Sequence, residues 1–396
     1  MPRRRGHLRP AGAALVGFMV LAGCSPLVVD VRLLASDAMG GRDNQTEGSA
    51  RARRYLIDRL DDFALGLDAS ASGDDAFTQA FEGGTNIVAL IPGDELPDEY
   101  VIIGAHYDHI GTACDSADPA DTICNGATDN ATGVAAVLSI GEQLARQRGG
   151  PSRSVILAFW DREEDGLLGA RAWIAQPPVP VSQTVAYINY DIQGANILPG
   201  LRSTTFAIGA ETGGERLTAA VGRAVRPGPL DTHQLSWIFG QGRSDYLPFI
   251  QAGVPTVFFS DSTGPCYHTA QDEPGIVDYH KLDQQVRDGL RLARDLAGDS
   301  AAPAFVPGTP PATYDDAVAL REVADRALRD LGRFDAGQQA ALLAFDAALA
   351  DIVAAGRDEF GPDDVGTVLS GAANAVGIFA SGECDGFTHP GRPSPP

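Results

Sequence analysis

From Asn86 onwards, short apolar runs alternate with longer stretches of helical periodicity, which predicts a βα-type domain built around a mostly parallel sheet. The runs at 86–91, 100–104, 154–160, 185–190, 204–208 and 256–259 predict strands. Helical spacing predicts helices over 131–148, 167–175, 214–225, 244–251 and 278–296, with an earlier amphipathic helix over 46–61 packing on the sheet edge. A Pro- and Ala-containing stretch at 301–311 reads as a linker or change of module. Beyond it, 315–331, 336–354 and 363–379 resume a helical period with Ala-rich faces. The expected architecture is therefore α/β, a mixed and mostly parallel sheet flanked by helices, followed by an all-helical C-terminal appendage and a structureless tail at 390–396. The expected division is 1–24, 25–300 and 301–396.

The first segment does not belong to that pattern. Arg3, Arg4 and Arg5 precede an apolar stretch from Ala11 to Leu21, too short for a permanent membrane span, and Leu21-Ala22-Gly23-Cys24 follows at once. This resembles the lipobox of bacterial lipoproteins, which implies export and a lipid on Cys24; Ser25 in place of aspartate implies the outer membrane. An exported chain meets an oxidising compartment. Cys114 and Cys124 flank a polar loop that a local bridge would close, and Cys266 with Cys384 would then pin the C-terminal tail near the site argued below.

Composition narrows the function classes. The 44% hydrophobic and 21% charged content is that of an ordinary globular chain. A formal charge of -22 opposes nucleic acid as a partner, because such binding depends on neutralising phosphates.

The chemistry lies where predicted strands end. In open α/β sheets, ligands gather beyond the carboxyl ends of strands. The run 101–105 leads into His106-Tyr107-Asp108, 156–160 leads to Glu163-Glu164, 187–190 leads to Asp191, and 256–259 precedes His268. Between the first two, a Gly126-to-Gly133 turn opens a helix rich in small residues and thrusts Asp129 toward the same crevice. Two imidazoles, His106 and His268, and three carboxylates, Asp129, Glu164 and Asp191, over-supply one metal ion but suit two that share a bridging carboxylate and a hydroxide. Two divalent ions, three carboxylates and one hydroxide also sum to zero charge, which a partly desolvated crevice favours. Glu163 is assigned to proton transfer, since a general base must not be neutralised by coordination. Asp108 is placed to accept the distal proton of His106 and fix its tautomer.

These segments resemble the M28 family of co-catalytic zinc peptidases. The resemblance is carried by His106-Tyr107-Asp108, Asp129-Asn130-Ala131-Thr132-Gly133, Glu163 to Gly169, Asn189-Tyr190-Asp191 and Tyr267-His268-Thr269, with Leu34 to Arg42 and Ser244 to Phe249 also family-like. It implies that His106 and Asp191 hold one zinc, Glu164 and His268 the other, and Asp129 bridges them. It further implies attack by a metal-bridged hydroxide on a peptide carbonyl, with Glu163 as base and then acid and Asp108 orienting His106. Three departures stand out: Tyr246 where the family often has histidine, Arg162 where glycine is usual, and an enlarged loop between Cys114 and Cys124.

An acidic site attracts an α-ammonium group better than a carboxylate, so an aminopeptidase acting on peptides is expected. A carboxypeptidase would need a cation at the substrate's end, for which Arg202 or Arg243 could serve. A glutaminyl-peptide cyclase-like transferase shares the scaffold and much of the ligand set, and a catalytically dead binding module is opposed by the intact Glu163. Trp237 and Phe239 read as ordinary packing rather than as a substrate pocket.

Overall fold

The computed structural model describes residues 25–384 apart from 115, 117, 227, 299 and 300. Cys24 and the tail at 390–396 lie outside the described residues. Among the described residues, nine strands form one sheet: β1 (Leu65–Gly66), β2 (Thr78–Phe81), β3 (Gly84–Ile91), β4 (Leu96–His106), β5 (Arg153–Trp160), β6 (Thr184–Tyr190), β7 (Thr204–Ile208), β8 (Asp231–Leu235) and β9 (Thr256–Ser260). The helices are α1 (Pro26–Leu34), α2 (Glu47–Asp61), α3 (Thr132–Ala145), α4 (Leu168–Ala175), α5 (Gly214–Val225), α6 (Tyr246–Gln251), α7 (Tyr279–Ala297), α8 (Tyr314–Ala327), α9 (Ala336–Ala355) and α10 (Pro362–Ala380).

The sheet order is β1-β3-β5-β4-β6-β9-β7-β8, with β2 also pairing β3. Its centre, β5-β4-β6-β9, is parallel throughout, whereas β3 on one side and β7 on the other run antiparallel to their inner neighbours. The sheet is thus mixed with a parallel heart, and every residue of β5 and β6 is buried, as strands covered on both faces must be.

Alternation along the strands divides the interior in two. Val155, Leu157 and Phe159 face a core completed by α1, α2, α3, α5 and α7. Ile156, Ala158 and Trp160 face a second core that contains Trp173 of α4 and Phe249 of α6. That second core continues without a break into the C-terminal helices, because Leu320, Val323, Leu342, Leu349 and Val368 pack in the same cluster as Phe206 of β7 and Leu235 of β8. The 301–311 stretch is tied to the body as well, with Val306 N–H donating to Thr212 and Arg216 donating to the Ala301 carbonyl. The C-terminal helices are a wall of the sheet domain.

Four elements escaped the hydropathy pattern. β8 reads Asp-Thr-His-Gln-Leu and is nearly polar, since it lies at the sheet's edge. β1 and β2 are short edge strands. α1 starts on Pro26, which supplies a helical φ without needing its missing N–H, and buries Leu27, Val31 and Leu34. Both expected bridges, Cys114–Cys124 and Cys266–Cys384, are present.

Candidate metal centre

The parallel heart of the sheet delivers four segments to one edge. His106 closes β4, opposite Trp160 in β5, while Gly104 pairs Asn189 in β6 and Tyr190 pairs Phe259 in β9. The residues that follow these strands, Glu163 and Glu164, Asp191, and farther on His268, therefore emerge side by side. Asp129 comes from the turn before α3. All five predicted donors converge.

Asp129 is the pivot, with its two oxygens facing different partners. Its Oδ1 lies 3.2 Å from His106 Nε2, which is itself 3.3 Å from Asp191 Oδ1. Its Oδ2 lies 3.2 Å from His268 Nε2, which is 3.1 Å from Glu164 Oε2. Neighbouring ligands of a tetrahedral zinc with bonds of about 2.0–2.1 Å are separated by about 3.3 Å, so these spacings fit metal coordination. The donor atoms of His106, Asp129 and Asp191 lie within 4.8 Å of one another, as do those of His109, Asp129, Glu164 and His268. The chemistry of both groups, imidazole nitrogen with carboxylate oxygen, suits zinc.

Glu163 lies within the same distance of His106 and Glu164, so proximity alone does not separate its role from theirs. Its surroundings do. Glu164 is engaged by His268 and His109, whereas Glu163 lines the open crevice beside Asp129 and Asp191. Burial, reinforced by the charges of Asp245, Asp191 and Glu164 and opposed by His106, pushes the Glu163 carboxyl well above the usual carboxylate range. Burial disfavours the imidazolium of His106, yet Asp191 and Glu163 draw its pKa well above the ordinary value. Burial leads the Glu163 shift, and neighbouring carboxylates alone raise His106 against its burial.

The polypeptide around the donors is held by hydrogen bonds. Asp108 accepts from the N–H groups of Glu163 (3.1 Å) and Glu164 (3.3 Å). His106 Nδ1 lies 3.2 Å from the Asp108 carbonyl and 3.6 Å from its carboxylate, so the backbone oxygen is the nearer acceptor. Asp272 accepts from the N–H groups of Thr128 and Asp129 and from the Thr128 hydroxyl, fixing the turn that aims Asp129. Arg42, 1% exposed, donates to the carbonyls of Leu34, Tyr107, Asn125 and Gly126, locking the N-terminal segment beneath the centre. Burial lowers its pKa to about 10 against the pull of Asp129 and Asp272, so it stays charged at neutral pH.

The sequence reading gave no role to several of these groups. His109 Nδ1 sits 2.7 Å from Glu164 Oε1, while its Nε2 is buried with no hydrogen-bond partner among the described residues. Its adjacency to His106-Tyr107-Asp108 was the available signal. Asp245 is fully buried beside Glu163, with neither carboxylate oxygen hydrogen-bonded among the described residues. The departures from the family pattern also have physical readings. Arg162, where glycine is usual, adopts a left-handed φ of 59°. The Tyr246 hydroxyl accepts from Gly242 N–H and donates to the Trp237 carbonyl, pinning the turn at 237–242. Phe239 of that turn, expected to be plain packing, lines the crevice.

A family model described as peptidase family M28 matches residues 86–289. A protein of Arabidopsis thaliana named probable glutamate carboxypeptidase LAMP1 is 34% identical over 206 residues, 48% of this chain and 27% of that protein. Leupeptin-inactivating enzyme 1 of Streptomyces exfoliatus is 25% identical over 236 residues, 59% of this chain and 48% of the relative. The chain thus spans about a quarter to a half of the length of these relatives. Among solved structures, a glutaminyl cyclase of Porphyromonas gingivalis superposes with a TM-score of 0.54 at 21% identity, covering 68% of this chain and 97% of that one, a likeness of fold.

Proposed function

The chain belongs to peptidase family M28, and from that premise we propose that it is a two-zinc exopeptidase acting on the free amino end of peptides. The observation that carries the reading is Asp129, whose two oxygens face separate donor groups while Glu163 stands beside them in the open crevice. His106 and Asp191 would hold one ion, Glu164 and His268 the other, with Asp129 shared. Zinc ions, when bound, supply an acidified water and polarise a peptide carbonyl. Glu163 takes a proton on its carboxylate and hands it to the leaving amine. Asp108, by gripping the N–H groups of Glu163 and Glu164, keeps both side chains aimed. The carboxylates of Asp129, Glu163 and Asp191 line the crevice and favour an ammonium over a carboxylate in the substrate.

One observation favours a carboxypeptidase instead. Arg243 lines the same crevice, is exposed, and makes no ion pair among the described residues, so it could receive a terminal carboxylate. The deciding experiment supplies the full chain, with zinc or with chelator, with three sets of peptides. These carry a free amine and blocked carboxylate, a blocked amine and free carboxylate, or an N-terminal glutamine. Cleavage of the first set, lost with chelator and restored by zinc, is the expected result. Cleavage of the second set alone would establish the carboxypeptidase, and ring closure of glutamine without hydrolysis would establish a cyclase.

The two disulfides suit an oxidising compartment, in keeping with export and a lipid on Cys24. Cys24→Ser should move the protein from the membrane fraction to the soluble one.

A further inference from the structure

The crevice that holds Asp129, Glu163 and Asp191 adjoins an apolar cavity, and Ile208, Phe239, Gln241, Ser262 and Val376 line both. His109 lines neither. Its side chain is fully buried, three residues past the end of β4, and is closed off from any substrate in the crevice. Yet it reaches the metal centre, where donor atoms of His109, Asp129, Glu164 and His268 all lie within 4.8 Å of one another.

We propose that His109 is a positioning residue for one metal ion of the pair: it engages Glu164 Oε1 and so confines coordination by Glu164 to the other oxygen. The inference rests on the two-zinc reading and adds a residue to it.

The distances separate this role from direct ligation. His109 Nδ1 is 2.7 Å from Glu164 Oε1, the length of a charge-assisted hydrogen bond. The contacts that fit two ligands on one ion are longer, at 3.1–3.3 Å. An ionised carboxylate only accepts, so Nδ1 carries the hydrogen and donates it. The second oxygen, Oε2, is the one 3.1 Å from His268 Nε2 and is therefore turned toward the donor group around Asp129. A carboxylate with both oxygens free can bind one ion through both. With Oε1 engaged, Glu164 offers a single donor, and the set of Asp129, Glu164 and His268 leaves a fourth position for water or a carbonyl.

Apart from that bond, packing alone holds the ring. Its Nε2 is buried with no hydrogen-bond partner among the described residues, so no second bond competes for its orientation. One flank rests on Gly126, where a Cβ would come within 2.5 Å of His109 Cδ2. The ring also meets His268 edge-on, with centroids 5.6 Å apart. Gly126 opens the turn that presents Asp129. The segment that aims the shared carboxylate therefore also seats the histidine, and the bare α-carbon of the glycine lets the two approach.

The test compares His109→Ala with His109→Asn in the full chain. Asparagine carries an N–H donor at the δ position, where histidine has Nδ1, and alanine carries none. Zinc per chain is measured against a graded chelator, and the cobalt-substituted proteins are compared by visible absorption, which reads coordination number. Thermal unfolding shows that each variant is folded. In His109→Ala one of the two ions should be held about 10- to 100-fold more weakly while the other stays near wild-type strength. Its cobalt spectrum should shift toward higher coordination number, as Glu164 becomes free to bind through both oxygens. His109→Asn should resemble wild type in both measurements. An alanine variant with wild-type metal retention and spectrum would overturn the proposal. So would an asparagine variant as impaired as alanine, or equal weakening of both ions, since either would make His109 a packing residue. A wild-type chain that holds one ion would remove the two-zinc reading, and the alanine–asparagine difference at that ion would still decide the assignment of His109.

Discussion

The acidic crevice and the apolar cavity beside it share five lining residues, yet they are built in opposite ways. The crevice is assembled largely by one sheet, whose parallel strands β4, β5, β6 and β9 lead their following residues to the same edge. Its groups are charged, and the backbone N–H groups of Asp129, Glu163 and Glu164 are gripped by the carboxylates of Asp272 and Asp108. The cavity draws on β7, β8 and three helices that follow the family segment, and its lining is almost wholly apolar. The crevice is a property of strand order; the cavity is a property of how the chain's last third packs back. The first tolerates little change, whereas the second can vary without disturbing it.

Perturbing the crevice should therefore give the largest effects. Asp129→Asn removes the shared carboxylate, and zinc measured after dialysis should fall below stoichiometry along with activity. The loss of metal affinity should exceed the roughly 100-fold that loss of an outer partner costs. Glu163→Gln should retain zinc while lowering kcat by about 10²–10⁴-fold; near-normal turnover in this variant would refute its role in proton transfer. His109→Ala frees Glu164 Oε1 from its 2.7 Å partner. Chelator competition should show zinc held about 10- to 100-fold more weakly, with activity restored at high zinc.

The smallest effect is expected next to the cavity. Burial pushes Glu211 up to about 7, while its Oε1 accepts from Trp237 N–H, in the turn that lines both spaces. A carboxyl raised above its unfolded value favours the folded state only while protonated. Its contribution is fully present below the unfolded pKa of about 4.3 and is lost as pH rises through about 7. Glu211→Gln keeps the acceptor and removes the charge. Thermal melts from pH 4 to 8 should show a flatter profile, with a gain on the order of 1 kcal/mol above pH 7. An unchanged profile would mean that Glu211 is solvated.

The contrast also explains what the sequence made legible. Imidazoles and carboxylates just past apolar runs reveal the crevice, because a strand's end is a defined place in a sheet. His106, Glu164, Asp191 and His268 could be grouped on that ground, and Asp129 joined them through the turn that opens α3. The supporting groups were harder to identify, since Asp272 and Arg42 act through hydrogen bonds to backbone far away in sequence. The cavity left no local mark at all. Alanines at 324 and 375 look like ordinary helix formers, and Phe239 like ordinary packing, until the segments meet. β8 was missed because an edge strand carries little apolar signal.

Arg42 sets a practical limit on how this chain can be cut down. A fragment trimmed to the 204 positions from 86 to 289 would keep every candidate zinc donor named above but discard the guanidinium that grips carbonyls at 107, 125 and 126. Those carbonyls would then be left without their buried donor, each such loss costing about 1–3 kcal/mol. Expression trials and directed-evolution libraries should accordingly begin upstream of residue 42, because the smallest stable unit is larger than its most recognisable stretch.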